Sequence, residues 1–272
     1  MKPTKKFTLT TVLALITYLI MVLTNVLANV LPINNLNTGQ VSDSYTNLFA
    51  PIGFTFIIWG LIYVLLLVYS LYQLLNFRNF NQAKKTLISK INVYFIISSI
   101  ANTLWIFAWH YQKISYSLIL MIIILICLIL INLLLKNSLL NIKQQLLIKL
   151  PFTIYFGWIT VATIANVTTF LVASNWNQWG ISAEIWTLVI LVIGALIGFV
   201  GILYYHSFGY GLVVIWAYIG IVSKHLSTDY FNNQYPNIVI SCYVLIFVLF
   251  FAEFLLVDYY LKKARIAKKN ND

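Results

Sequence analysis

Charged side chains are scarce in this chain. Only 8% of its 272 residues are Asp, Glu, Lys or Arg, whereas 61% are hydrophobic. Soluble domains average about 25% charged residues, so this composition excludes a soluble globular protein. No polar stretch is long enough to form a separate soluble domain. Because the apolar stretches have the length of membrane-crossing helices, the sequence predicts an all-α integral membrane protein.

Acidic residues are especially few, with six against seventeen basic residues and a net charge of +11. A basic balance can indicate nucleic-acid binding. Here the basic residues form short clusters between apolar segments, with no basic domain or arm. The positive-inside rule, which places Lys and Arg on the cytoplasmic side of a membrane, explains these clusters better. We therefore predict no nucleic-acid partner.

Cysteine is almost absent as well. Cys127 and Cys242 both fall inside apolar spans, where we expect small buried side chains and not a disulfide or a metal site. No Cys and His cluster has the spacing of metal ligands. No Ser/His/Asp or Cys/His arrangement and no carboxylate pair suits catalysis. The sequence therefore assigns no catalytic residue, no metal and no cofactor, and it favours a protein that is not an enzyme.

Eight apolar spans of about twenty residues are predicted, at roughly 8–31, 52–74, 91–110, 114–135, 150–173, 184–204, 208–223 and 237–260. The sixth and seventh could instead be one re-entrant pair, because the turn between them is very short. With the N-terminus inside, every basic residue except Lys113 and Lys224 lies on the cytoplasmic side. Both termini are then cytoplasmic, and we predict a multi-pass protein of the cell membrane.

The first span also resembles a secretory signal peptide, since a short basic stretch precedes its apolar residues. Its apolar stretch is longer than the usual h-region of about 7–15 residues, and the sequence after it is a poor cleavage site. We therefore interpret it as a retained first span.

Two asparagines lie inside the apolar spans, each near a tryptophan: Asn102 near Trp105, and Asn166 near Trp158. An amide in hydrocarbon is costly unless it finds a partner. Tryptophan normally prefers the membrane interface, where its N–H stays hydrated. These polar and aromatic residues favour a cavity between helices, and hydrogen bonding of the asparagines across packed helices is the alternative.

The depths of these residues agree with a cavity. At 1.5 Å per residue, Asn102, Asn166 and Trp59 all lie about 10–12 Å below the predicted outer end of their spans. Trp158, Ala162 and Asn166 recur at i, i+4 and i+8, which places them on one helical face. We therefore predict a cavity in the outer half of the membrane that opens towards the outer loop.

Three motifs in these spans form a recognisable series. The second span carries a proline, aromatic, tryptophan and tyrosine run from Pro51 to Tyr63, and the third carries Asn102-Thr-Leu-Trp105. The fifth carries Trp158 followed by Ala162, Thr163 and Asn166. In order and spacing these motifs resemble the TspO/translocator protein family, the tryptophan-rich sensory proteins, over roughly residues 8–173.

The resemblance implies a five-helix unit in residues 1–173, followed by three additional spans and a basic cytoplasmic tail in residues 174–272. The chain would then be a long bacterial variant of the family. It departs from the family pattern in its outer loop, where tryptophans and a double proline are reduced to Leu48-Phe-Ala-Pro51. Its ligand therefore need not be the ligand of the family.

The resemblance also implies a function. In the family the cavity binds porphyrins and other flat hydrophobic ligands, so the chain is expected to be a binding or sensory protein for a hydrophobic, tetrapyrrole-like molecule. Two tryptophans would form aromatic walls, the asparagines polar anchors, and the alanine a gap. The expected ligand-binding residues are Trp59, Asn102, Trp105, Trp158, Ala162 and Asn166. The lipid bilayer is an expected partner, and a homodimer is left open.

Glu253 is the one acidic residue well inside a span, and an intramembrane acid is a functional hypothesis by default. It lies outside the resemblance, so no family role is carried to it. One alternative is a secondary transporter or permease that uses all eight spans, with Glu253 as its coupling group. An enzyme acting on a bound porphyrin and a scaffold protein are further alternatives.

Three glycines on the sixth span, Gly194, Gly198 and Gly201, form a face that allows close helix approach. We expect this face to pack within the molecule, with dimerisation as the alternative.

Overall fold

The computed structural model describes residues 3–31 and 33–269, with side chains for 6–31 and 33–266. Long helices dominate this part of the chain, and it contains no strand. The long helices are α1 (Pro3–Val30), α2 (Ile58–Leu75), α3 (Gln82–His110), α4 (Ile114–Lys136), α5 (Leu150–Ala173), α6 (Ala183–Tyr205), α7 (Phe208–Leu226) and α8 (Pro236–Lys269). A six-residue helix, Thr38–Asp43, lies between α1 and α2.

The prediction of an all-α protein with eight spans is confirmed. Eight helical segments within the described ranges are long and apolar enough to cross a membrane. The sixth and seventh are separate helices of 23 and 19 residues, which does not support a re-entrant pair. The chain turns between them at His206, whose backbone adopts the left-handed conformation with φ 49°. That conformation at a helix C-terminus reverses the chain in few residues.

α3 begins earlier than the sequence predicts, at Gln82 instead of 91. The side chain of Asn81 accepts a hydrogen bond from the backbone N–H of Lys84 at 2.9 Å and so caps the helix. The lysines in the first turns of α3 are not apolar, so apolar length alone does not indicate this start. Lysine can lie along a helix while its charged end reaches water, so these charges do not end the helix.

α5 follows a wide helical turn. Residues Gln145–Lys149 form a π-helical turn, which leads directly into α5. Pro151 has no N–H to donate, and its ring would crowd the carbonyl four residues earlier in a regular helix. A π turn relieves such crowding by widening the backbone, which accounts for its position immediately before the proline.

The N-terminal unit comprises Met1–Asn47 and Phe56–Trp176. In it α1 packs on α2 and α3, α3 packs on α4, α4 on α5, and α5 returns to α2. The five helices therefore close into a bundle. Part of its core is an edge-to-face cluster of Tyr69, Phe95 and Phe152, whose ring centroids are 4.8–5.9 Å apart. All three side chains are fully buried.

The C-terminal unit comprises Leu48–Thr55 and Asn177–Asp272. Its three helices, α6, α7 and α8, pack against one another pairwise. The short segment Leu48–Thr55 is held on α7 by hydrogen bonds. The N–H of Ile52 donates to the carbonyl of Gly220 at 3.1 Å, and Nε1 of Trp216 donates to the carbonyl of Thr55 at 3.0 Å.

Candidate functional site

Five aromatic side chains form a cluster inside the N-terminal unit, which we call the Trp59 cluster. The Trp59 ring lies at centroid distances of 5.6 Å from Tyr63, 6.5 Å from Trp105, 5.9 Å from Tyr155 and 6.3 Å from Trp158. Tyr63 stacks on Trp59, whereas Tyr155 and Trp158 meet it edge to face. Three different helices, α2, α3 and α5, therefore bring the expected tryptophans together.

Helical spacing explains this arrangement. Trp59 and Tyr63 are four residues apart on α2, and Tyr155 and Trp158 are three residues apart on α5, so each pair shares a helix face. On α3, Trp105 stacks on Trp109 at 5.5 Å. Each helix thus supplies its aromatic residues from one face turned towards the bundle interior.

Three polar atoms of the Trp59 cluster are buried without a hydrogen-bond partner. They are Nε1 of Trp105, Nε1 of Trp158 and the hydroxyl oxygen of Tyr63. Buried Trp N–H and Tyr O–H groups usually find a partner, and each buried donor left unpaired costs about 1–3 kcal/mol. Three unpaired donors around one ring are therefore an arrangement that needs an explanation.

Asn102 joins the cluster through Tyr155. It is fully buried, its Nδ2 donates to the hydroxyl of Tyr155 at 3.2 Å, and its Oδ1 accepts from Nδ2 of Asn25 at 2.8 Å. Sequence reasoning missed Asn25, although an amide inside the first apolar span is the same kind of signal. The three residues link α1, α3 and α5.

Asn166 has a different partner. Nδ2 of Asn166 donates to the hydroxyl of Ser117 at 2.8 Å, and the same hydroxyl lies 3.1 Å from Oδ1 of Asn166. Both side chains are buried between α4 and α5. Ala162, one turn beyond Trp158 on α5, is half-buried. The structure therefore brings Trp59, Trp105 and Trp158 together with Asn102, whereas it joins Asn166 to α4. A ligand-binding role of Asn166 and Ala162 stays a prediction.

A second polar cluster, which sequence reasoning missed, lies further along the same helices. The hydroxyl of Tyr69 donates to Oδ1 of Asn92 at 2.7 Å. Nδ2 of Asn92 lies 2.8 Å from Oε1 of Gln73 and 3.4 Å from Oγ1 of Thr11. Asn92 precedes Asn102 by ten residues, about 15 Å along α3. These bonds connect α1, α2 and α3 and stabilise the bundle.

Glu253 lies in α8 of the C-terminal unit and is 7% exposed. Both of its carboxyl oxygens are buried without a hydrogen-bond partner. The two cysteines, Cys127 and Cys242, are buried and unpaired. In the part of the chain that the structure describes, no three His, Cys, Asp or Glu residues are grouped closely enough to hold a metal ion.

The glycine face of α6 packs inside the C-terminal unit, as expected. A Cβ at Gly198 would lie 2.9 Å from Leu249 and 3.1 Å from Val214. A Cβ at Gly201 would collide with the ring of Tyr210. The absent side chains therefore allow α7 and α8 to approach α6 closely.

These features define a multi-pass α-helical membrane protein with a buried cluster of tryptophans, tyrosines and amides in its N-terminal helices. The chain belongs to the TSPO-like protein family, whose model matches residues 11–255. The resemblance seen in the three motifs is thereby confirmed, and the match continues past residue 173 into α8. No curated protein and no solved structure matches the chain.

Proposed function

We propose that the Trp59 cluster binds a flat hydrophobic molecule with hydrogen-bond acceptors on its edge, such as a tetrapyrrole that carries carboxylates. The observation that supports this proposal is the set of three unpaired donors on Trp105, Trp158 and Tyr63. A ligand acceptor would give these donors the partners they lack. Ligand binding serves either to sense the ligand or to facilitate its movement.

The chemistry of the cluster suits such a ligand. Indole and phenol rings stack on planar apolar molecules and add specific ring geometry to the burial of area. Ligand sites are commonly mostly apolar, with a few placed polar groups that fix the orientation of the ligand. In the Trp59 cluster the rings supply the apolar walls, and the three donors supply the polar groups.

Binding must separate rings that now touch one another. Trp59, Trp105 and Trp158 are between 2% and 8% exposed, so a ligand enters only if α2, α3 or α5 shifts its side chains. The proposal therefore includes a rearrangement of the cluster on binding. A change in tryptophan fluorescence should accompany it.

A pair of porphyrins tests the proposal. One is protoporphyrin, whose edge carries carboxylates, and the other is etioporphyrin, whose edge carries only alkyl groups. Hydrogen bonds to a charged group are worth about 1.5–3 kcal/mol, and about 1.4 kcal/mol is a tenfold change in affinity. We expect the detergent-solubilised protein to bind protoporphyrin at least about tenfold more tightly in equilibrium dialysis, with saturable quenching of tryptophan fluorescence.

Three variants test whether the unpaired donors cause the tighter binding of protoporphyrin. Trp105→Phe, Trp158→Phe and Tyr63→Phe each keep a ring and remove one donor, so each should reduce the difference between the two porphyrins. Trp186→Phe is the matched control, because Nε1 of Trp186 already donates to the carbonyl of Gln178 at 2.9 Å in the C-terminal unit. Absence of saturable binding, or equal affinity of the unaltered protein for both porphyrins, would contradict the proposal.

A further inference from the structure

Glu253 is the one buried acidic residue among the described side chains of the C-terminal unit. Neither of its carboxyl oxygens has a hydrogen-bond partner. An ionised carboxylate that is buried without a partner is strongly disfavoured, and in the interior of a membrane protein such a residue marks a functional site by default. The Trp59 cluster lies in the other unit and gives Glu253 no role.

A glycine provides the space for this carboxyl group. A Cβ at Gly211 of α7 would collide with Oε1 of Glu253 and would lie 2.6 Å from Cγ1 of Ile202 on α6. The carboxyl group therefore rests against the backbone of Gly211, beside Ile202. Any larger residue at position 211 would fill the place of the carboxyl oxygen.

The carboxyl group lies near one end of the unit. Gly211 is three residues after the start of α7, and Ile202 is three residues before the end of α6. At 1.5 Å per residue, each is about 4.5 Å from the end of its helix. This is the end at which α6 turns into α7, and the basic residues of the sequence place it on the cytoplasmic side.

Among the described side chains, no cation pairs with Glu253. The charged residues of α6 and α7, Glu184 and Lys224, lie towards the opposite end, about 27 Å from Ile202 and about 20 Å from Gly211 along their helices. Asp258 and Lys262 of α8 pair with each other at 2.6 Å on the surface. The remaining ionisable groups at this end are two exposed cations and several aromatic residues. Lys263 and Arg265 lie about 15 and 18 Å beyond Glu253 along α8. The others are Tyr204, Tyr205, His206, Tyr210, Tyr259 and Tyr260.

We propose that Glu253 is a proton-binding site of the C-terminal unit, which takes up and releases a proton at the end where α6 turns into α7. A proton makes the carboxyl group neutral and so removes the need for a counter-ion. Release of the proton requires the ionised carboxyl group to reach water or a partner. The distance to the end of the unit is short, because Gly211 lies within one helical turn of the start of α7. The site is independent of the ligand proposed for the Trp59 cluster.

A lipid-soluble carbodiimide tests for the bound proton. With dicyclohexylcarbodiimide, the carboxyl O–H adds across one C=N bond: the oxygen bonds to the central carbon and the proton moves to nitrogen. Migration of the acyl group to nitrogen then gives a stable N-acylurea. No group leaves, so the peptide gains the mass of the whole reagent. The reaction needs a protonated carboxyl group within reach of a hydrophobic reagent.

The full-length protein in lipid vesicles is labelled across a pH series, and its peptides are analysed by mass spectrometry. We expect an adduct on Glu253 whose rate falls about tenfold for each pH unit above the midpoint, as the protonated fraction does. The adduct should be absent in Glu253→Gln, which keeps the shape of the side chain. Asp258, whose carboxylate pairs with Lys262, is the internal control and should not label under these conditions.

Three results would overturn the proposal. One is absence of label on Glu253 at every pH, and another is protection of Glu253 by sodium ions at constant pH, which would assign the site to a metal cation. The third is loss of the pH profile in His206→Gln, which would assign the titration to the histidine.

Gly211→Ala tests the position of the carboxyl group. The added methyl group occupies the place of Oε1, so labelling of Glu253 should change severalfold, with the midpoint displaced. Gly60→Ala is the matched control, because a Cβ at Gly60 meets no atom within 4 Å, and its labelling should equal that of the unaltered protein. Identical profiles for both variants would show that Gly211 does not hold the carboxyl group.

Discussion

Asn102 connects three helices through one buried amide. In Asn102→Ala, Nδ2 of Asn25 loses one of its two acceptors and keeps the carbonyl of Met21. The hydroxyl of Tyr155 loses a donor, and each buried hydrogen-bonding group left unpaired costs about 1–3 kcal/mol. We expect a lower midpoint of thermal unfolding in detergent, followed by circular dichroism. Asn29→Ala is the control, because exposed Asn29 bonds only to the carbonyl of Asn25 one turn earlier. Equal stability of the two variants would show that the Asn102 bonds contribute little.

Asn166 allows the packing and the ligand-binding interpretations to be separated. Its reciprocal bonds with Ser117 predict that Asn166→Leu lowers thermal stability. If the bonds serve packing alone, the affinity for protoporphyrin stays within about twofold, far less than the change expected from a lost hydrogen bond to a charged group. Ser117→Ala should then resemble Asn166→Leu in both its thermal stability and its affinity for protoporphyrin. A large loss of affinity in Asn166→Leu with unchanged stability would support the ligand-binding role that the sequence predicts.

The sequence identifies individual site residues better than it identifies their hydrogen-bond partners. Asn102, Trp59, Trp105 and Trp158 could be selected because polar and aromatic side chains are unusual at these depths. That Asn102 bonds to Asn25, and Asn166 to Ser117, depends on the rotation of each helix about its own axis. The helix rotations are set by packing over the whole bundle, which no local pattern encodes.

The close approach of α6 to α7 and α8 depends on two glycines, Gly198 and Gly201, which face different side chains. In Gly201→Ala the new methyl group collides with the rigid ring of Tyr210. In Gly198→Ala its nearest neighbour is the end of the flexible Leu249 side chain, and Val214 lies slightly further away at 3.1 Å. We therefore expect Gly201→Ala to lower the unfolding midpoint more than Gly198→Ala. Overpacking typically costs about 1–3 kcal/mol.

Gly60→Ala on α2 is the control for helix propensity. A Cβ there meets nothing within 4 Å, and alanine favours a helix over glycine by about 0.8–1.0 kcal/mol. Stability equal to or above that of the unaltered protein is expected. If Gly201→Ala behaved like Gly60→Ala, close packing of α6 on Tyr210 would not limit stability.

The helices themselves were well predicted because apolar length is a local property. The eight spans were found, and α4 was placed within one residue of its observed ends. Early starts, such as that of α3 at Gln82, were missed because a hydropathy search stops at lysines. The cap at Asn81 is a local signal that could have located this start.

The number of spans and the basic residues together predict which loops face the same side of the membrane. Eight spans would place both ends of the chain on one side, and the distribution of basic residues predicts that this side is cytoplasmic. A cysteine introduced at Gln234, in the exposed turn before α8, should react with a membrane-impermeant thiol reagent added outside cells. A cysteine at Asn79, exposed between α2 and α3, should react only after the membrane is permeabilised. The native cysteines are buried, so background labelling should be low.

Labelling of both introduced cysteines in intact cells, or of Asn79→Cys alone, would contradict the orientation. The first result would indicate a miscounted span between the two positions, and the second an inverted protein. Only the second outcome would also move Glu253 to the other side of the membrane, because its position relative to the helix ends is fixed in the C-terminal unit.

The sequence by itself determined that this chain is an all-α membrane protein with eight spans, and its motifs indicated the family. Those properties follow from composition, apolar length and residue spacing, which act locally along the chain. The tertiary structure alone decided that Leu48–Thr55 belongs with the C-terminal helices, that Trp105, Trp158 and Tyr63 surround Trp59 with unpaired donors, and that the carboxyl group of Glu253 rests on Gly211. Each depends on contacts between residues far apart in sequence, which form only when the helices pack and fix one another's rotation.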